Sequence, residues 1–287
     1  MTRPSAVDTR RAGRATRART LLAERPHTEP FLQFYLSLVD VQAAVCDSGD
    51  AAGWLPAVVE ASASVRPGVR LERLPLDTLS PRFRQFCRSV PTSAPEPISV
   101  AARAVSDGES ARRTELLLAL LTGGDFEAGA VAFGADPVPL AFLARGFLSP
   151  IAEAVSALVD VPAETERSPL CPCCGWPPQV SMLRDETDIQ GIRRLVCAFC
   201  AAAWAFPRSA CPGCSTTDEK GLTLHVDDGA PHVRVEACTH CRRYLKSIDF
   251  RVFGLADPLV DDLATPELDL WAEEQGLEKI TPNLLGL

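Results

Sequence analysis

The chain has 287 residues, a net charge of −8 and 46% hydrophobic residues. This length allows two domains, so a hydrophobic core need not depend on bound metal alone. The negative charge argues against a protein that wraps a phosphate backbone, because such binding depends on clustered Lys and Arg. Of the eleven cysteines, eight form four Cys-x-x-Cys pairs. The odd remainder of three fits poorly with a disulfide framework and indicates a reducing compartment.

The first twenty residues are basic, with six arginines against one acid. The pair Arg10–Arg11 resembles a twin-arginine export signal, but no apolar segment follows it. We therefore expect no export signal and interpret the stretch as the basic start of a first helix. The most apolar run, residues 139–159, contains an arginine, a proline and a glutamate, so we expect a soluble protein without membrane insertion.

Residues 1–165 have apolar positions at steps of three and four residues, which predicts helices. Frequent prolines divide this half into roughly six to eight helices of modest length. The last of them is predicted over Leu140–Leu158, and we expect Pro150 to break or kink it.

The C-terminal half contains two copies of one unit, at residues 171–200 and 211–241. Each has a cysteine pair, about twenty residues, a second pair and then an aromatic residue. Short β-branched stretches predict hairpins in both copies: Val180–Leu183 with Ile192–Val196, and Leu222–Val226 with Val233–Val235. Each copy is therefore predicted to be a small zinc-ribbon or rubredoxin-like β module.

After Asp249 the sequence predicts helix again, with Thr265 as cap, Pro266 at the first position and Gly276 at the end. The predicted fold class is α+β: an all-helical domain, two tandem rubredoxin-like or zinc-ribbon four-cysteine modules, and a C-terminal helix. The predicted boundaries are 1–165 for the helical domain, 166–250 for the modules (about 168–207 and 208–250), and 251–287 for the C-terminal segment.

The four cysteine pairs suit two metal ions, each held by four thiolates in a tetrahedron. Sequential pairing is favoured by the repeat and assigns Cys171, Cys174, Cys197 and Cys200 to one ion and Cys211, Cys214, Cys238 and Cys241 to the other. Crossed pairing of the two middle pairs stays open. Iron and zinc both accept such a set. Four sulfurs leave no position for a metal-bound water, so a structural metal is favoured over a hydrolytic one, with redox-active iron as the alternative.

The remaining cysteines and the histidines are interpreted mainly as structural. Cys173, inside the first pair, is a spare ligand, a redox sensor, a sulfur acceptor or a small side chain that points away from the metal. Cys46 and Cys87 are expected in the helical core. Three histidines, His225, His232 and His240, are expected at the surface or behind the ligands. No nucleotide-binding or hydrolase motif is present, so we expect no enzyme.

A family resemblance is carried by residues from about 168 to 287. The motifs there occur in the order Cys171-Pro172-x-Cys174-Gly175, Gly191-Ile192-Arg193-x-Leu195-x-Cys197-x-x-Cys200, Trp204, Cys211-x-x-Cys214, Cys238-x-x-Cys241, Tyr244-Leu245-Lys246 and Asp261-Asp262-Leu263-Ala264. Together they resemble the formate dehydrogenase accessory protein FdhE family. Cys173, Ser215 and His240 depart from the family pattern and leave open whether both sites hold the same metal.

The resemblance implies a cytoplasmic maturation factor that binds the molybdenum- or tungsten-dependent catalytic subunit of formate dehydrogenase during assembly. It also makes Asp261 and Asp262 candidates for partner contact, although acids near a helix start favour the helix dipole as well. A rubredoxin-like iron protein that transfers electrons is the alternative function. A nucleic-acid binder is the third, and its basic face would come from Arg193, Arg194, Arg208, Arg234, Arg242 and Arg243.

Overall fold

The computed structural model describes residues 6–45, 48–59, 68–159, 168–187 and 189–286. Contacts divide the chain into two compact units. The helical unit comprises Met1–Asp8 and Gln33–Val159, and the sheet unit comprises Thr9–Leu32 and Asp160–Leu287.

Eight α-helices precede the cysteine pairs in the described residues, as the proline spacing predicted. They are α1 (Ala6–Glu24), α2 (Glu29–Val45), α3 (Ser48–Val58), α4 (Leu76–Arg88), α5 (Glu96–Asp107), α6 (Ser110–Thr122), α7 (Glu127–Phe133) and α8 (Pro137–Ser156). The core of the helical unit contains an aromatic cluster in which Phe83 and Phe86 pack on Phe147, with ring centroids 5.1 and 5.8 Å from it. Cys87 is buried there as predicted, whereas Cys46 lies outside the described residues.

Helix α8 continues through Pro150, so the predicted break at that proline is wrong. Proline has no N–H to donate to the carbonyl of Gly146, four residues earlier. The side chain of Gln42 in α2 donates to that carbonyl instead, at 2.7 Å. The helix therefore tolerates its proline because a neighbouring helix supplies a replacement hydrogen bond.

Among the described residues, α8 is long and apolar enough to cross a membrane. In its most apolar window, 72% of the residues are buried inside the protein. Such burial is typical of a core helix, because a membrane span presents its apolar side chains to lipid.

The described part of the sheet unit has one seven-stranded sheet. Its strands are β1 (Pro178–Glu186), β2 (Ile189–Cys197), β3 (Ala203–Ala205), β4 (Leu222–Val226), β5 (Val233–Cys238), β6 (Arg243–Asp249) and β7 (Glu278–Lys279). The order is β3-β2-β1-β6-β5-β4, and β7 also pairs with β6. Both predicted hairpins, β1–β2 and β4–β5, are confirmed as antiparallel pairs.

Strand β6 joins the two cysteine modules into one sheet. It pairs antiparallel with β5 of its own module and parallel with β1 of the other, in the register Val180 to Lys246. The predicted α+β class is confirmed, and the two modules share a continuous sheet. Two helices follow, α9 (Pro258–Leu263) and α10 (Pro266–Glu274).

The two faces of the sheet differ because side chains alternate along each strand. Val233, Val235 and Ile248 lie on one face and pack with Leu268 and Ala272 of α10. The opposite face carries Glu236 of β5 and its cross-strand neighbour, the buried Leu245 of β6. There the guanidinium of Arg193 of β2 pairs with Glu236 at 2.5 Å.

Part of the basic N-terminal stretch belongs to the sheet unit. Arg17 of α1 donates two hydrogen bonds to Asp261 of α9, at 2.7 and 3.1 Å, and Arg25 pairs with Glu267 of α10. Residues 9–32, assigned to the helical domain from the sequence, therefore belong to the sheet unit, where they contact α9 and α10. The predicted boundaries near 165 and 250 stay a proposal.

The ends of the last helices are only partly as predicted. Thr265 occupies the N-cap position of α10, but its side chain makes no cap hydrogen bond and instead donates to the carbonyl of Asp261 at 2.8 Å. In α9, Asp257 is the capping side chain and accepts from the N–H groups of Leu259 and Val260.

Candidate metal centres

The four cysteine pairs fold into four tight turns of similar geometry. The residue after each pair has a positive φ: Gly175 (81°), Ala201 (54°), Ser215 (61°) and Arg242 (57°). In the turns that begin at Cys171 and Cys211, the N–H four residues on donates to the cysteine carbonyl, at 2.9 and 2.8 Å. The left-handed residue turns the chain back sharply, so both sulfurs of a pair point to one place.

The structure gathers the sulfurs in the sequential sets and not in the crossed ones. Within each set, all four Sγ atoms lie within 4.8 Å of one another. The shortest separations are 3.4 Å for Cys174–Cys197 and 3.7 Å for Cys171–Cys200 in the first cluster. In the second cluster, Cys211–Cys241 and Cys214–Cys238 are 3.7 and 3.8 Å apart.

These distances fit a tetrahedral ion in both clusters. Metal–sulfur bonds of about 2.3 Å place tetrahedral sulfurs about 3.8 Å apart. The all-thiolate donor set suits zinc or iron, and it leaves no open coordination position. Both clusters can therefore hold a closed four-sulfur metal site.

Burial raises the pKa of some cluster thiols, and hydrogen bonds between thiols lower that of another. Burial raises the pKa of Cys197, and it raises the pKa of Cys211 to about 12. Hydrogen bonds from Cys171 and the other thiols of its cluster lower the pKa of Cys200. Four thiolates gathered in one mostly buried cluster need a cation to balance their charge. Metal binding and thiol ionisation are therefore coupled.

The first cluster is the more enclosed of the two. Cys171, Cys197 and Cys200 are buried and Cys174 is half-buried. Trp176 stacks on Phe199 with ring centroids 4.5 Å apart, next to two of the pairs. Cys173 is also buried, and it is not among the four converging sulfurs.

The second cluster has more contact with solvent. Cys214 is exposed and Cys241 is half-buried. His240 is exposed, as predicted, and pairs with Asp218 at 2.9 Å. His225 lies half-buried and stacks on Trp271 at 3.7 Å. None of these histidines is in a cluster of metal-ligand geometry within the described residues.

The interpretation of Asp261 and Asp262 as partner-contact residues is wrong, because both side chains are buried. Asp261 accepts from Arg17 and lies 2.8 Å from His232. Hydrogen bonds from His232 and Arg17 outweigh burial and lower the pKa of Asp261.

Asp262 belongs to a buried ion network that the sequence did not predict. Lys246 of β6 is fully buried and lies 2.9 Å from Asp262 and 2.6 Å from Asp269. Lys279 of β7 bridges the same two carboxylates at 2.9 and 3.0 Å. Two cations and two anions compensate one another there, so this cluster fixes α9 and α10 to the sheet.

Most arginines of the suggested basic face are paired with acceptors of the protein itself. Arg194 pairs with Glu186 at 2.8 Å, and Arg242 donates to the carbonyl of Gln275. Arg193, Arg234 and Arg243 each lie near a glutamate. These pairings reduce the positive charge of the face but do not cancel it, since Arg193 and Arg234 share Glu236 and Arg242 meets a neutral carbonyl.

Sequence comparison and structure comparison with known proteins both find FdhE proteins. The family description "FdhE, central domain" matches residues 170–208, and "FdhE, C-terminal domain" matches residues 210–285. A protein FdhE homolog of Aquifex aeolicus is 34% identical over 147 residues, which are 51% of this chain and 52% of the relative. The homolog of Pseudomonas aeruginosa is 37% identical over 126 residues, 42% of this chain and 41% of the relative.

The chain thus matches about half or less of the length of these curated relatives. The crystal structure of the FdhE protein from Pseudomonas aeruginosa superposes with a TM-score of 0.69 at 26% identity, covering 99% of this chain and 97% of that one.

The helices, the shared sheet and the paired turns define a protein with two rubredoxin-like four-cysteine centres that can hold metal. The resemblance to the FdhE family seen in the sequence is confirmed, because residues 170–208 and 210–285 match the two FdhE domains and an FdhE crystal structure superposes on 99% of this chain.

Proposed function

We propose that this chain is an accessory factor for formate dehydrogenase, which binds the catalytic subunit in the cytoplasm during assembly and is not itself an enzyme. The observation that carries the proposal is the match of residues 170–208 and 210–285 to the two FdhE domains. These segments contain all eight cysteines of the clusters, so the part of the chain that resembles FdhE is the part that can hold metal.

The eight cysteines would hold two ions, iron or zinc, one in each cluster. A closed four-sulfur site supplies folding free energy and offers no position for an activated water. The ions would therefore stabilise a sheet unit whose surface binds the partner. This role is in keeping with the absence of a catalytic motif from the sequence.

A pull-down with purified components tests the proposal. The tagged chain is presented with the catalytic subunit of formate dehydrogenase made with and without its molybdenum or tungsten cofactor. We expect stronger capture of the cofactor-free subunit, since an assembly factor acts before maturation is complete. Cys87→Ala is the matched control for Cys197→Ala, because both remove a buried thiol and only Cys197 lies in a cluster.

We expect Cys87→Ala to capture the subunit as the unaltered chain does, and Cys197→Ala to lose capture together with metal. If the unaltered, metal-loaded chain captures neither form of the subunit, the proposal fails.

A rubredoxin-like redox role is the second candidate. Backbone N–H groups donate to cluster sulfurs, from Phe199 to Cys197 at 3.3 Å and from Gly213 to Cys211 at 3.2 Å, and such bonds tune the potential of an iron–thiolate centre. This candidate requires iron with thiolate-to-iron absorption bands that bleach reversibly on one-electron reduction. Two colourless zinc ions per chain would exclude it.

A further inference from the structure

An open cavity of about 300 Å³ lies on the sheet face that carries Glu236 and Leu245. Four arginines contribute to its wall, and we call it the arginine cavity: Arg193, Arg208, Arg234 and Arg243. Cys211 and Cys238 form part of the same wall, so the cavity lies beside the second cluster. Its volume is at the lower end of the range of small-ligand sites.

The arginine cavity carries excess positive charge. Glu236 is the one acid in its wall, and it pairs with Arg193 at 2.5 Å and lies 3.7 Å from Arg234. Arg243 lies 3.6 Å from Glu278, outside the wall. Arg208 is exposed and has no hydrogen bond or ion pair within the described part of the chain.

Two buried donors in this wall lack an acceptor. The Nε atoms of Arg193 and Arg234 are shielded from solvent and make no hydrogen bond in the described structure. A buried donor without a partner is costly, and a carboxylate oxygen is the acceptor that a guanidinium binds most strongly. The exposed guanidinium of Arg208 is a group in this wall that a ligand carboxylate can reach directly.

The cavity is continuous with an exposed apolar strand. Leu222, Thr223 and Leu224 of β4 form part of its wall, and β4 is an end strand of the described sheet. Leu224 is 61% exposed and Val226 is 49% exposed. An end strand has backbone groups without a strand neighbour on one side, and an extended peptide can pair with them.

We propose that β4 and the arginine cavity bind an extended acidic peptide segment of a client protein. A carboxylate of the segment would lie among the arginines, and its apolar side chains would contact Leu224 and Val226. Only the identity of the client rests on the proposed function. The arginines also lie near the second cluster, where a metal bound by four thiolates carries negative charge. The experiment therefore separates peptide binding from stabilisation of that metal centre.

Fluorescence anisotropy on the zinc-loaded full chain provides that test. The probe is a labelled peptide with the sequence Leu-Thr-Glu-Thr-Leu, which places its acid and both leucines on one face of a strand, and its neutral counterpart is Leu-Thr-Gln-Thr-Leu. Inorganic phosphate and a single-stranded DNA oligonucleotide serve as competitors. The variants are Arg208→Glu and Leu224→Ser, and Arg103→Glu is the control, because Arg103 is exposed on α5 and absent from the cavity wall.

We expect the acidic peptide to bind at least about tenfold more tightly than the neutral one, and less tightly at high salt. Arg208→Glu should weaken it by about tenfold or more, Leu224→Ser by less, and Arg103→Glu by under about twofold. Zinc content should be unchanged in all three variants.

Equal binding of the two peptides, or unchanged binding by Arg208→Glu, would overturn the proposal. Loss of zinc by Arg208→Glu with unchanged peptide binding would also overturn the proposal, because the arginines would then stabilise the metal centre. Displacement by phosphate or DNA with no peptide preference would assign the cavity to phosphate groups and overturn it too. If Arg208→Glu still captures the formate dehydrogenase subunit fully, the cavity proposal fails while the accessory function stands.

Discussion

The two cysteine clusters share one local geometry but have different surroundings. In both, paired turns with a left-handed residue bring four sulfurs within 4.8 Å of one another. The first is enclosed by aromatic side chains, whereas the second has an exposed sulfur at Cys214 and borders the arginine cavity. The spacing of the cysteine pairs determines whether a cluster can hold a metal. The surrounding packing determines how easily water and other molecules reach its sulfurs.

We infer different roles for the two centres from this contrast. The enclosed cluster is suited to holding the β1–β2 hairpin in place, because reagents reach its sulfurs only when the fold opens. The exposed cluster lies beside the surface that we assign to the client. Four substitutions test these roles and the contacts that support the sheet unit.

Loss of an enclosed sulfur should have the largest effect. We expect Cys197→Ala to lose the first ion and to destabilise the protein by about 4 kcal/mol or more, since structural metal is coupled to folding. In a chain of this size that corresponds to a fall in Tm of roughly 10 °C. Cys214→Ala, which removes the exposed sulfur, should cost less than half of that. Metal analysis and thermal unfolding check both, and an equal loss in the two variants would contradict the contrast.

The buried ion network that fixes α9 and α10 to the sheet depends on Lys246. Burial acts to lower the pKa of Lys246, but Asp262 and Asp269 raise it, so the buried ammonium stays charged. Lys246→Met would leave the two carboxylates with Lys279 as their one cation among the described residues, and we expect a loss of about 3–5 kcal/mol in urea unfolding. Lys220→Met, at an exposed lysine, should change stability by less than about 0.5 kcal/mol.

The same experiment shows whether the clusters depend on each other. Metal should be retained at both centres at low temperature, because Lys246 touches neither. Stability of Lys246→Met within about 1 kcal/mol of the unaltered chain would show that the network does not hold α9 and α10 on the sheet.

The anchoring of the N-terminal segment should be sensitive to pH. Because the pKa of Asp261 is lowered in the folded protein, its contribution is full above the ordinary carboxyl value of about 4 and is lost as pH falls through the lower folded value. We expect Asp261→Asn to cost about 2 kcal/mol at pH 7. The difference from the unaltered chain should shrink below about pH 4.

Acid also protonates the metal thiolates, but it does so in both proteins, so the difference between their unfolding free energies isolates Asp261. A difference that stays constant from pH 7 to pH 3 would contradict the ion-pair account.

The smallest effect is expected at Cys173. Its side chain is buried but lies outside the four converging sulfurs, so Cys173→Ala should retain two ions per chain. The loss of one buried sulfur atom should cost about 1 kcal/mol. Metal analysis and urea unfolding provide the measurement. Loss of one ion would identify Cys173 as a metal ligand, and the ligand set of the first cluster would then differ from the four sulfurs described above.

The local parts of this structure could be predicted from the sequence. The forty-residue repeat predicted the sets in which the cysteines come together, and β-branched stretches predicted the hairpins β1–β2 and β4–β5. Those features depend on residues near one another in the chain, where spacing and periodicity carry the information.

The long-range parts could not be predicted in the same way. Strand β6 contains Lys246, and a lysine does not indicate a buried central strand until its partners Asp262 and Asp269 are known. Arg17 and Asp261 are 244 residues apart, so no local pattern places α1 against α9. The sequence motif made Asp261 and Asp262 candidates for partner contact, but the fold shows that they pair with cations inside the protein.

The contrast between the clusters is tested most directly by timed alkylation of the zinc-loaded chain in the presence of a chelator, followed by mass spectrometry of each cysteine peptide. Our account predicts that Cys211, Cys214, Cys238 and Cys241 are modified first, while Cys171, Cys174, Cys197 and Cys200 stay protected until the protein unfolds. Modification of both sets at the same rate, or of the first set before the second, would contradict it.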